Sequence, residues 1–103
     1  MGFSTAKKAV VKALREGNYV VEARAALSEK NLLAVGDIEA EEVARLVLRT
    51  SAAEYDESPH HWDNDVAVHT FRPAVEKDSW YIKAYFLDET SGTATFISVH
   101  RTM

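Results

Sequence analysis

Three runs in the second half of the chain, VAVHTF (66–71), SWYIKAYFL (79–87) and TATFISVH (93–100), are rich in β-branched and aromatic residues and bounded by polar stretches. Runs of this length and composition form strands. The connectors RPAVEKD and DETSG are short enough for hairpins, so the expected product is a three-stranded antiparallel meander. A small sheet must bury one face against another layer, and the first half of the chain supplies it.

Ser4 or Thr5 can cap a helix that runs to Glu16, with Val10, Val11 and Leu14 on its apolar stripe and Gly17 as the left-handed stop. A short extended piece at Tyr19 to Val21 follows. EARAALSEKN (22–31), rich in Ala, Leu and Glu, predicts a second helix. Ile38, Val43, Leu46 and Val47 recur at helical spacing after Asp37, with acidic residues in the first turn, and predict a third helix to about Thr50. SAAEYDESPHHWDND (51–65) has a Pro, many polar residues and no period, which predicts a loop. The expected fold class is α+β: two to three N-terminal helices packed on one face of a C-terminal three-stranded antiparallel sheet, in a single domain over residues 1–103.

Composition narrows the function classes. With no cysteine there is no disulfide framework and no thiolate chemistry. Lys7, Lys8, Lys12 and Arg15 interrupt the apolar residues at the start, which argues against a signal peptide or membrane span and for a cytoplasmic protein. The net charge of -4 opposes simple electrostatic capture of nucleic acid. The charge is unevenly spread, basic in the first 15 residues and acidic at Glu39, Glu41 and Glu42.

Alternation sorts each strand into two faces. Trp80, Ile82, Ala84 and Phe86 share one, with Val66, Val68, Ile97 and Val99 expected beside them against the helices. The other face then carries His69, Phe71, Tyr81, Lys83, Tyr85, Phe96, Ser98 and His100. Imidazole exchanges protons near neutral pH, tyrosine donates one, and lysine stabilises charge on phosphate oxygens, which is what metal-free phosphodiester cleavage needs. A sheet covered on one side also shows water a mixed face with no chemistry attached. His60, His61, Asp63, His69 and His100 are metal-ligand types, but neighbouring side chains in an extended loop diverge and no HExxH pair occurs, so no metal is expected. Trp62 fits either a core plug or an aromatic that stacks on a base.

FRP at Phe71 to Pro73, WYIK at Trp80 to Lys83 and ISVH at Ile97 to His100 resemble the aromatic-Arg-Pro, V-Y-L-K and closing S-F-K segments of MqsR-type toxins of bacterial toxin-antitoxin pairs. Those toxins are small endoribonucleases related in fold to RelE. REGNYVVEARAAL and RTSAAEYDES resemble the helix, Gly, short strand and second helix and the G-L-S-E-S-D-F-Y-K-S stretch of that family, so the likeness spans almost the whole chain. It implies a RelE/MqsR-like domain, RNA as substrate, a cognate antitoxin protein as partner, and no cofactor; the deficit of positive charge points either to RNA presented by the ribosome or to a narrow target.

Carried over position by position, the resemblance places Tyr81 at the functional tyrosine and His100 at the terminal functional lysine. The family's glutamine falls at Val68 or His69, and its loop lysine at or next to Glu57, which is not a cation. The implied chemistry is therefore imidazole-based: attack of a ribose 2′-hydroxyl on the adjacent phosphate with His100 and His69 as the acid/base pair in either order, Tyr81 as proton donor or orienter, and Lys83 or Arg72 as phosphate stabiliser. His61 is a further catalytic candidate, and Trp62 and Arg101 join Arg72 as substrate-binding candidates. A second class fits the same residues: a noncatalytic interaction module that binds a protein through the sheet face or edge.

Overall fold

The computed structural model describes residues 1–22, 31–33, 36 and 38–102. The first helix, α1 (Phe3–Glu16), buries Ala6, Val10, Val11, Ala13 and Leu14. It stops at Gly17, whose φ of 70° lets the Gly17 and Asn18 N–H groups donate back to the Leu14 and Ala13 carbonyls. Its N-terminal flank is Gly2, with no side-chain cap from Ser4 or Thr5. The second helix, α2 (Ala40–Arg49), buries Val43, Ala44 and Val47 and places Glu41 and Glu42 in its first turn, where the helix dipole favours them. Arg15 Nε donates to Glu41 Oε1 at 3.0 Å, an exposed link between the helices, and Lys7 Nζ donates to the Thr50 carbonyl at 2.9 Å.

Strands β1 (Tyr19–Val21), β2 (Tyr55–Pro59), β3 (Ala67–Phe71), β4 (Ala74–Val75), β5 (Asp78–Tyr85) and β6 (Ala94–Thr102) form one sheet. Its order is β1-β6-β5-β3-β2, with β4 also pairing with β5. The β1–β6 pair is parallel and the others are antiparallel. The expected three-stranded antiparallel sheet under two or three N-terminal helices is thus corrected to six strands of mixed direction. Among the described residues one helix is N-terminal and the other mid-chain.

β1 is the extended piece expected at Tyr19 to Val21, but its place in the sheet, and β2 and β4 as strands, escaped the sequence, each for its own reason. β1 pairs in parallel with β6, and a partner so distant in the chain leaves no local signal. β2, YDESP, lies inside the segment expected to be loop; it is an edge strand, where acidic residues and proline are tolerated because one side makes no ladder. β4 is a two-residue strand closed onto β5 by a turn at Glu76 and Lys77, with Glu76 at φ 56°. The helix expected over Glu22 to Asn31 falls on residues 23–30, which lie outside the described residues; Glu22 extends the β1 pairing through its N–H to the Phe96 carbonyl, and Asn31 bridges to Val99. Among the described residues no helix is long and apolar enough to cross a membrane.

Helices α1 and α2 cover one sheet face, where Phe71, Ile82, Ala84, Phe96 and Val99 are 0% exposed. Each large apolar side chain so buried contributes about 1.5–3 kcal/mol. Two strands differ from the expected sorting. In β3, His69 and Phe71 face the helices, while Val68 joins Val66, Tyr85 and Ile97 in a small cluster on the second face. In β6 the pairing slips where β5 passes from Lys83 to Ala84: Lys83 pairs with Ser98 and Ala84 with Phe96. Ile97 is the extra residue of this bulge, so Phe96 and Val99 both enter the core.

Candidate functional site

The second face of the sheet is built in rows. In β5, Tyr81 and Lys83 alternate with the buried Trp80, Ile82 and Ala84, so they stand together on the side away from α1 and α2. Tyr81 pairs with His100 across β5 and β6, and Lys83 with Ser98. On the other side Phe71 pairs with Ile82 and Ala74 with Ser79, which sets Arg72 at the register position opposite Tyr81. One row therefore reads Arg72, Tyr81, His100, and the next reads Thr70, Lys83, Ser98.

Tyr81 and His100 stack with ring centroids 5.3 Å apart and planes inclined by 25°. Both are half-buried and Arg72 is exposed, so the row is held by packing yet reachable. His100 Nδ1 lies 3.1 Å from the Arg101 carbonyl. A carbonyl only accepts, so this bond puts the proton on Nδ1 and leaves the Nε2 lone pair of the neutral ring to take a proton.

Beyond Lys83 the face deepens into a cleft of about 400 Å³ lined by Glu22, Ser58, His60, His61, Trp62 and Lys83. Val68 and Ile97 also line it. The loop above it, between β2 and β3, is tied at several points. His60 N–H donates to the Val66 carbonyl at 2.8 Å, Asp65 N–H to Asp63 Oδ1 at 3.0 Å, and Trp62 N–H to His60 Nδ1 at 3.1 Å. The His60 ring meets Tyr85 edge-on at 4.6 Å, and His61 meets Trp62 at 5.2 Å. These ties present Trp62 to solvent, 74% exposed, rather than as the core plug its size suggested.

The remaining candidates lie on the helix side. His69 is 2% exposed and shares a hydrogen bond of 2.7 Å with the Tyr55 hydroxyl, whose proton goes to Glu57 Oε1 at 3.3 Å. Burial pushes its pKa below the ordinary imidazole value, against the opposing pull of Glu57, and burial next to Glu57 pushes the Tyr55 phenol well above its own. His69 thus stands on the face opposite His100. The expected pairing of the two imidazoles on one face is corrected, because the two-residue period of β3 runs in the other phase. Arg101 pairs with Trp80 and lies over its ring at 4.8 Å, also with the core side, near Asp78. Glu57 pairs with His69 at the β2 edge.

The structure therefore brings together Arg72, Tyr81, Lys83, His100 and, across the cleft, His61 and Trp62. It separates His69 and Arg101 from them. Sequence reasoning missed Glu22 and Ser58 as cleft residues. Ser58 would have been found only by recognising β2, and Glu22 only by knowing that β1 lies beside β6. Among the described residues no group of three His, Asp or Glu side chains is placed to hold a metal ion. No known protein family, curated protein or solved structure matches the chain.

Proposed function

We propose that this chain is a metal-independent endoribonuclease, a toxin of the MqsR type that acts in the cytoplasm and is held in check by an antitoxin protein. The observation that carries the reading is the Arg72–Tyr81–His100 row with Lys83 beside it: a proton acceptor, a proton donor and two cations side by side on one half-exposed surface. The groups suffice for the reaction. His100 Nε2 takes the proton of a ribose 2′-hydroxyl, the oxygen attacks the adjacent phosphorus, and the bond to the 5′-oxygen breaks as the Tyr81 hydroxyl delivers a proton to it. Arg72 balances the charge that grows on the non-bridging oxygens of the scissile phosphate, and Lys83 meets the phosphate next to it. The products are a 2′,3′-cyclic phosphate and a free 5′-hydroxyl.

With His69 on the other face, Tyr81 takes the acid role, and the net charge of -4 favours RNA delivered by the ribosome over capture from bulk solution. The deciding experiment expresses the wild type and a His100→Ala, Tyr81→Ala double variant in bacteria. Growth arrest by the wild type alone, together with RNA cleavage in EDTA that leaves cyclic phosphate ends, is the expected result. RNA left intact with and without ribosomes would defeat the proposal and leave the face as a protein-docking surface.

A further inference from the structure

We infer that the cleft beneath the β2–β3 loop is a nucleobase subsite, in which the base next to the scissile phosphate stacks on Trp62 while Lys83 holds the phosphate between cleft and cleavage row. This inference rests on the endoribonuclease reading and adds to it how the strand is gripped. Three observations support it. First, Trp62 is the most exposed large apolar side chain among the described residues, at 74%, although the loop that bears it is hydrogen-bonded at both ends and at its tip. The hydrogen-bonded loop thus sets a broad aromatic ring in solvent at the wall of the cleft. A flat aromatic is the partner that single-stranded nucleic acid offers.

Second, the cleft has the volume of a small-ligand site and a mixed lining, with Val68 and Ile97 as apolar surface and His61, Ser58 and Lys83 as polar groups that can meet a base edge or a phosphate. Glu22 lies in the same lining. Third, the spacing suits a polynucleotide. Lys83 is two residues from Tyr81 on the same strand face, roughly 7 Å along β5, close to the length of one extended nucleotide. A strand with its scissile phosphate at Tyr81 and His100 therefore brings the neighbouring base to the cleft mouth.

The test measures binding and cleavage separately. A labelled, single-stranded 2′-O-methyl oligoribonucleotide of mixed sequence lacks the attacking hydroxyl and reports binding alone. The full chain is titrated as wild type, Trp62→Ala, Trp62→Phe and the His100→Ala, Tyr81→Ala double variant. The subsite predicts an affinity loss of about ten-fold or more in Trp62→Ala, most of it restored by Trp62→Phe, with the double variant binding far better than Trp62→Ala. Equal binding by wild type and Trp62→Ala, or no binding by the wild type, overturns it. Cleavage of unmodified RNA is scored in parallel. If the wild type cleaves RNA while Trp62→Ala binds and cleaves equally well, the subsite falls and the nuclease stands; if binding depends on Trp62 but nothing is cleaved, the reverse holds.

Discussion

The molecule contains two stacked tyrosine–histidine pairs on opposite faces of one sheet. Tyr55 and His69 have ring centroids 6.0 Å apart with an angle of 17°, and Tyr81 and His100 are 5.3 Å apart at 25°. Ring geometry hardly distinguishes them, yet their surroundings do. His69 is 2% exposed, bonded to its tyrosine, near Phe86 and shifted away from protonation, whereas His100 is half-buried and bonded through Nδ1 to a backbone carbonyl. The same two residue types are thus structural on one face and available for proton transfer on the other. Burial and the choice of hydrogen-bond partner decide which.

Substituting each histidine should separate the pairs most sharply. His69→Ala leaves a cavity and removes one of the two partners of the Tyr55 hydroxyl, and should lower unfolding free energy by about 3 kcal/mol, read from urea denaturation. His100→Ala should cost under about 1 kcal/mol in the same assay while slowing RNA cleavage at least 100-fold. Equal stability losses for the two would erase the distinction. Tyr55→Phe removes the hydroxyl that serves His69 and should cost about 1–2 kcal/mol, whereas Tyr81→Phe should leave the urea midpoint unchanged.

The smallest effect is the pH dependence of stability. Because burial depresses the folded-state pKa of His69, the unfolded chain binds the extra proton first as pH falls. The stabilisation is fully present above the ordinary histidine value near 6.5, declines as pH drops through it, and is lost once pH passes below the depressed folded value. The urea midpoint should therefore fall between pH 7.5 and 5.5 in the wild type, and His69→Gln should flatten that slope; an unchanged slope would place its origin elsewhere.

The strands that carry this contrast were legible to different degrees. Helix α1 and its stop at Gly17 followed from spacing and one glycine, and Tyr81, Lys83 and His100 were correctly grouped because β5 is long and strictly alternating. β3 was not legible in phase. Val66 and Val68 looked like its core residues, but the strand is interior to the sheet and has apolar contacts on both faces, so the pattern offers two solutions and His69 was assigned to the wrong one. In β6 the single extra residue at Ile97 inverted the assignments of Ile97 and Phe96 and left Val99 and His100 correct. The β2 edge and the parallel β1–β6 pair are long-range facts with weak local signals, and the walls of the cleft depend on both.

Strand β6 lies between β1 and β5 although it follows both in the chain. On a translating ribosome β1 emerges early without its partner, and β5 has one bare edge until β6 arrives. The surface that carries His100 is therefore completed only after every other strand has been made. A nascent chain therefore lacks the paired Tyr81 and His100 until β6 has been made and has entered between two strands already waiting for it.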